Sequence, residues 1–111
     1  MRSDRERLED ILEACRSLRE HVAGRLDDLP GDEILRLAAE RLVEIIGEAA
    51  AWVSPELQAT HSDVDWRGPA GIRTILAHRY FGIDPDVVRA VVEHDVPKLE
   101  SQIRVILEEL E

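Results

Sequence analysis

The stretch "DPDVVRAVVEHD", residues 84–95, carries four valines, and whether it is a strand or a helix decides the fold class. Valine favours strands because its branched Cβ packs well on a pleated surface. The spacing argues the other way. Val87 and Val91 are four apart, as are Val88 and Val92, so all four share one face of a helix, whereas a strand would send neighbours to opposite faces. No other segment offers a second strand, and a lone strand has nothing to pair with. Asp84 can cap the first turn and Pro85 suits its first position. The segment reads as a helix, and the chain as all-α.

Outward from it, "DVPKLE" (95–100) reads as a second restart that opens a last helix, with Leu99, Ile103, Ile106 and Leu110 in a narrow 4, 3, 4 seam. On the other side, "GIRTILAHRYFG" (71–82) reads as a largely buried helix closed by Gly82. Its polar residues include Arg73, His78 and Tyr80, which such a helix would not need. A polar loop, "ATHSDVDWRG" (59–68), precedes it, and before that "SPEL" sets Ser54 as a cap with Pro55 at the first position. The second helix spans about Asp32 to Val53. Its later part, "LVEIIGEAAAWV", is apolar nearly all round, as in a helix surrounded by others or by a second subunit. Gly47 inside it predicts close approach of a neighbouring backbone. The first helix starts with a capping box, Ser3 and Glu6, and carries a seam of Leu8, Ile11, Cys15, Leu18 and Val22. Trp52 and Trp66 read as packing residues. These readings add up to one domain over residues 1–111, a bundle of five or six helices. The two narrow seams and the all-round apolar helix exceed what one small bundle buries, which predicts a homodimer.

Composition narrows the function classes. The formal charge of −10, from 24 acidic against 14 basic residues, argues against a general nucleic-acid coat, whose affinity comes from neutralising phosphates. A single cysteine cannot form an internal disulfide, and neither a signal peptide nor an 18-residue apolar run is present. A cytoplasmic protein without a membrane anchor is expected. The four histidines lack ligand spacing with cysteine or carboxylates, so no metal and no cofactor is expected.

Arg73, His78 and Tyr80 match the pattern R-x-x-x-x-H-x-Y, within "LVEIIGEAA", "DW" at 65 and 66, "GIRTILAHRYFGID" and "VVEHDVPKLESQI", in that order. Over residues 34 to 110 the chain resembles the HepT-like toxins of the HEPN superfamily, small helical ribonucleases encoded beside a minimal nucleotidyltransferase antitoxin. The resemblance implies a HEPN-like bundle and a metal-independent endoribonuclease toxin of a type VII-like pair. It implies RNA as substrate, Arg73 and His78 as catalytic residues, and Tyr80 as the acceptor of AMP transferred by the cognate antitoxin. The residue after the arginine is often asparagine in such proteins and is Thr74 here, so a hydrogen bond made by that asparagine is in question.

The residue chemistry agrees. RNA carries its own nucleophile, the 2′-hydroxyl, and a histidine can remove its proton near neutral pH. An arginine can hold two phosphate oxygens and stabilise the charge of the transition state. The acid that protonates the leaving oxygen is open, with His61, His94 and a second copy's His78 as candidates. Glu48, in a stretch that reads as buried, is a candidate to orient Arg73 or His78, or simply a buried acid with a basic neighbour. One geometric problem remains. At about 100° per residue, His78 lies about 140° round the helix from Arg73, so a straight helix does not point both at one phosphate. The arginine must curl, the helix must loosen near Gly82, or a second chain must complete the site, and the last is preferred. Two other functions compete with catalysis. One is a nucleotide- or partner-binding module that presents itself to a nucleotidyltransferase, and the other is a structural dimerisation domain.

Overall fold

The computed structural model describes residues 2–78 and 80–110, and every element among them is helical. In chain order these are α1 (Asp4–His21), a 3₁₀ turn (Ala23–Asp28), α2 (Glu33–Ala51), α3 (Pro55–Thr60), α4 (Ala70–His78), α5 (Pro85–Ala90), a π-helical turn (Val91–Asp95) and α6 (Val96–Leu110). The four valines of the decisive stretch are therefore helical, and Val88, Val91 and Val92 are buried.

Local chemistry sets most helix starts. At α1 the predicted capping box forms in both directions, Glu6 N–H to Ser3 Oγ and Ser3 N–H to Glu6 Oε1, each 3.1 Å. Asp32 accepts the Leu35 N–H at 3.0 Å to open α2, Ser54 accepts the Leu57 N–H at 3.3 Å to open α3, and Asp84 accepts the Asp86 N–H at 2.8 Å to open α5. Gly82 takes φ +89°, a conformation that favours glycine. It stands beyond the end of α4, reversing the chain toward α5.

The last helix does not restart at residues 95–100. Val96 N–H bonds to Val91 C=O, five residues back, so α5 runs through a wide π turn straight into α6. Pro97 explains the difference. A proline inside an α-helix clashes with the carbonyl four residues earlier and donates no hydrogen bond. A widened turn just before it re-spaces those carbonyls and keeps the helix going.

α1 packs against both α2 and α6, and α4 packs against α2 and α5. The α1 seam Leu8, Ile11, Cys15, Leu18 and Val22 is buried throughout, as its periodicity required. In α6, Leu99, Ile103 and Ile106 are buried while Leu110 is exposed at the end of the helix. Two contacts far apart in sequence fasten the frame: Asp4 takes the Ser54 N–H at 2.9 Å and its hydroxyl at 2.6 Å, and Asp27 pairs with Arg89 at 2.8 Å. No described helix is long and apolar enough to cross a membrane.

Three expectations about the second helix are revised. Gly47 is tight against side chains, not backbone: an added Cβ would lie 2.8 Å from Leu76 Cδ1 and 3.4 Å from Ile72 Cγ2. The stretch 42–53 is one-sided, with Val43, Ile46, Gly47 and Ala50 buried but Glu48, Ala51 and Trp52 exposed. Trp52 is no packing residue in this chain, since its ring lies 5.8 Å from the Arg7 guanidinium on the surface. Such an arrangement stabilises weakly at an exposed site.

Cys15 provides a test of the packing. Burial, helped by the Glu100 carboxylate, pushes its thiol from an ordinary value of 9.0 up to about 12. The thiolate is the reactive form, so a thiol pushed up to about 12 should react with a disulfide reagent at pH 8 roughly a thousandfold more slowly than an open thiol. Ellman's reagent should therefore titrate Cys15 in denaturant and almost not at all in the folded protein.

Candidate active site

α4 buries Ile72 and Ile75 with Leu76 half-covered, and exposes Arg73, Thr74, Ala77 and His78. The largely buried helix that the sequence suggested is thus half-solvated, because α2 and α5 cover only one side of it. Arg73 and His78 sit on that open side, at its two edges as the helical angle requires. Tyr80 follows the last turn and is 91% exposed, with Phe81 at 81%. Their rings meet edge to face with centroids 5.4 Å apart. The three residues of the pattern are all accessible to a macromolecular substrate.

The turn before α4 takes hold of Arg73. Its Nη1 donates to the Gly68 carbonyl at 2.7 Å and lies 3.8 Å from Asp65 Oδ2. Gly68 N–H closes the turn on the Asp65 carbonyl at 2.9 Å, and Gly68 adopts φ +88°. The buried Trp66 pins the same turn, its indole N–H donating to the His61 carbonyl at 2.9 Å. The stretch read as a polar loop therefore buries Val64, Trp66 and Gly68. Sequence reasoning did not single out Asp65 or Gly68 as site residues, although "DW" stood among the quoted matches.

Both ways to unite Arg73 with His78 inside one chain fail. α4 remains α-helical through His78, so it does not loosen first. The arginine does curl, but toward Gly68 at the N-terminal end of α4, and His78 stands at the opposite end. Thr74 spends its hydroxyl proton on the Ala70 carbonyl of its own helix at 2.9 Å. Glu48 is exposed, against the buried position expected of it, and no hydrogen bond or ion pair joins it to Arg73 or His78 among the described residues. His61 Nε2 lies 3.4 Å from Glu109 Oε2, and His94 is exposed in the π turn. No group of three or more His, Cys, Asp or Glu side chains among the described residues could hold a metal ion.

Beside Tyr80 opens a groove of about 580 Å³, lined by Leu37, Phe81 and Ile83 with Pro30, Pro85, Arg36 and Glu40 around them. Arg36 is held there by the Leu29 and Pro30 carbonyls at 2.9 and 3.0 Å. Glu40 sits low enough that burial raises its carboxyl above the usual range.

Comparison with known proteins bears on this arrangement. The profile of the family described as Ribonuclease HepT-like matches residues 11–106. The chain belongs to the HepT-like ribonuclease family. It is 38% identical over 109 residues to a protein of Caldanaerobacter subterraneus subsp. tengcongensis named as a candidate RNase, covering 97% of each chain. It is 34% identical over 102 residues to the protein of Thermococcus cleftensis named probable ribonuclease HepT, covering 91% of this chain and 93% of that one. A candidate RNase of Methanocaldococcus jannaschii is 32% identical over 100 residues, with 89% and 92% covered. No solved structure matches the chain. The family resemblance drawn from the Arg73, His78 and Tyr80 pattern and the stretches around it thus agrees with an independent match over most of the chain.

Proposed function

We propose that this HepT-like chain is a metal-independent endoribonuclease, the toxin of a type VII-like toxin–antitoxin pair, working as a homodimer. The observation that carries the reading is the open side of α4, which presents Arg73 and His78 to solvent with Tyr80 just beyond. His78 takes the proton of the RNA 2′-hydroxyl, whose oxygen attacks the adjacent phosphorus. Arg73 stabilises the charge on the phosphoryl oxygens. The 5′-oxygen of the next nucleotide leaves and takes up a proton, so the products are a 2′,3′-cyclic phosphate and a 5′-hydroxyl. Because Arg73 turns toward Gly68 and away from the His78 of its own chain, the site is shared across a dimer, with Arg73 of one copy and His78 of the other at each phosphate. Ile34 and Leu37 on α2, 75% and 52% exposed, are apolar surface that a second copy would cover.

The exposed Tyr80 hydroxyl supports the regulatory half of the reading. A minimal nucleotidyltransferase bringing ATP can reach it without unfolding any helix. The hydroxyl oxygen attacks the α-phosphorus, pyrophosphate leaves and the hydroxyl proton is released, fixing a bulky anion near the RNA phosphate position.

The activity is tested by incubating the purified protein with RNA in excess EDTA and analysing the new ends. Cleavage that persists, with 2′,3′-cyclic phosphate and 5′-hydroxyl termini, is expected. Strict dependence on a divalent ion, or 3′-hydroxyl ends, would overturn the mechanism.

A further inference from the structure

The turn that precedes α4 meets Arg73 at both of its ends. Asp65 contributes its carboxylate, 3.8 Å from Nη1, and Gly68 contributes its carbonyl, 2.7 Å from the same nitrogen. The turn is rigid for local reasons. A backbone hydrogen bond of 2.9 Å closes it between Gly68 N–H and the Asp65 carbonyl. Trp66, buried between them, is anchored to the His61 carbonyl. Gly68 lies at φ +88°, and a Cβ added there would sit 3.1 Å from Ile72 Cγ2, so the carbonyl is aimed by a residue that cannot easily be replaced.

We infer that Asp65, with the Gly68 carbonyl, is the positioning device for Arg73 in phosphate recognition. This rests on the ribonuclease reading above. Both contacts use Nη1, and among the described residues neither Nε nor Nη2 of Arg73 has a hydrogen-bond partner. A guanidinium held along one edge keeps its other edge available, and that edge is the fork that takes two phosphate oxygens at once. Arg73 is half-exposed, and an unheld arginine at such a site samples many rotamers. Restraining it removes part of the ordering cost that the transition state would otherwise carry. The carboxylate adds direction: it favours the guanidinium near the turn when no RNA is bound. A phosphate, being the stronger and bidentate partner, can then engage the free edge without displacing the tether.

The test is a double-mutant cycle on RNA cleavage. Asp65→Asn, which keeps the shape and removes the charge, should lower kcat about tenfold with KM within about twofold, while Asp65→Glu retains most of the activity. In an Arg73→Lys background, where the fork is gone, Asp65→Asn should cost less than about twofold more. An equal loss in both backgrounds would mean that Asp65 only supports the turn, and the assignment would fall. So would an Asp65→Asn chain with unchanged kcat. Gly68→Ala serves as the second probe, and it should reproduce the kcat loss with Cys15 still protected from thiol reagents. If Arg73→Ala cleaves as well as the natural chain, the ribonuclease reading itself is lost. If Arg73→Ala is inactive and Asp65→Asn is not impaired, only the positioning role is lost.

Discussion

His78→Ala should cleave RNA about a thousandfold more slowly than the natural chain, in the middle of the range that a general acid–base residue contributes. The imidazole is solvent-exposed at the end of α4 and packs into no core, so the substitution should leave the unfolding midpoint nearly unchanged. A loss of rate without loss of stability separates catalysis from a structural role, and it separates an enzyme from a module that merely binds nucleotide. The same variant reports on the dimer. When equal amounts of Arg73→Ala and His78→Ala chains are mixed and allowed to exchange, sites that take Arg73 from one copy and His78 from the other should regain about a quarter of the natural activity, since half of the dimers are mixed and each holds one intact site of two. Chains that each carried a complete site would regain none. Cells that expressed the natural protein without an antitoxin should stop growing, and cells that expressed His78→Ala should not.

Tyr80→Phe should abolish adenylyl transfer while leaving most RNA cleavage intact. The hydroxyl was given neither proton transfer nor charge stabilisation, and the ring keeps its edge-to-face contact with Phe81 in the variant. At 91% exposure the side chain contributes almost nothing to the core, so the change is close to neutral for folding. Mass spectrometry of the protein after treatment with ATP and a cognate nucleotidyltransferase should show the adenylyl increment on the natural chain and none on Tyr80→Phe. An increment of equal size on the variant would place the acceptor elsewhere. Modification of the natural chain should also suppress cleavage, because an anion beside Arg73 competes with the RNA phosphate.

Particular residues show what the sequence determined by itself. The four valines of residues 84–95 identified a helix, since a 3.6-residue period and a two-residue period sort the same side chains differently. Ser3, Glu6, Ser54 and Asp84 marked helix starts because capping is a bond between near neighbours, written in a few adjacent letters. The α1 seam was legible for the same reason. The Arg73, His78 and Tyr80 spacing, together with the order of the stretches around it, carried the family, which the match over residues 11–106 shows.

Tertiary structure decided what depends on neighbours distant in the chain. Composition made 42–53 look enclosed and α4 look buried, but how many sides of a helix are covered depends on where the other helices lie, and here Glu48, Trp52, Arg73 and His78 face solvent. Pro97 looked like a helix start, and only the π turn ahead of it, with its Val96 to Val91 bond, allows the helix to pass through. The grip of Asp65 and Gly68 on Arg73 was likewise out of reach of the sequence. It depends on one turn folding back along α4, a geometry set by the buried Trp66 and the positive φ of Gly68 and not by residue spacing.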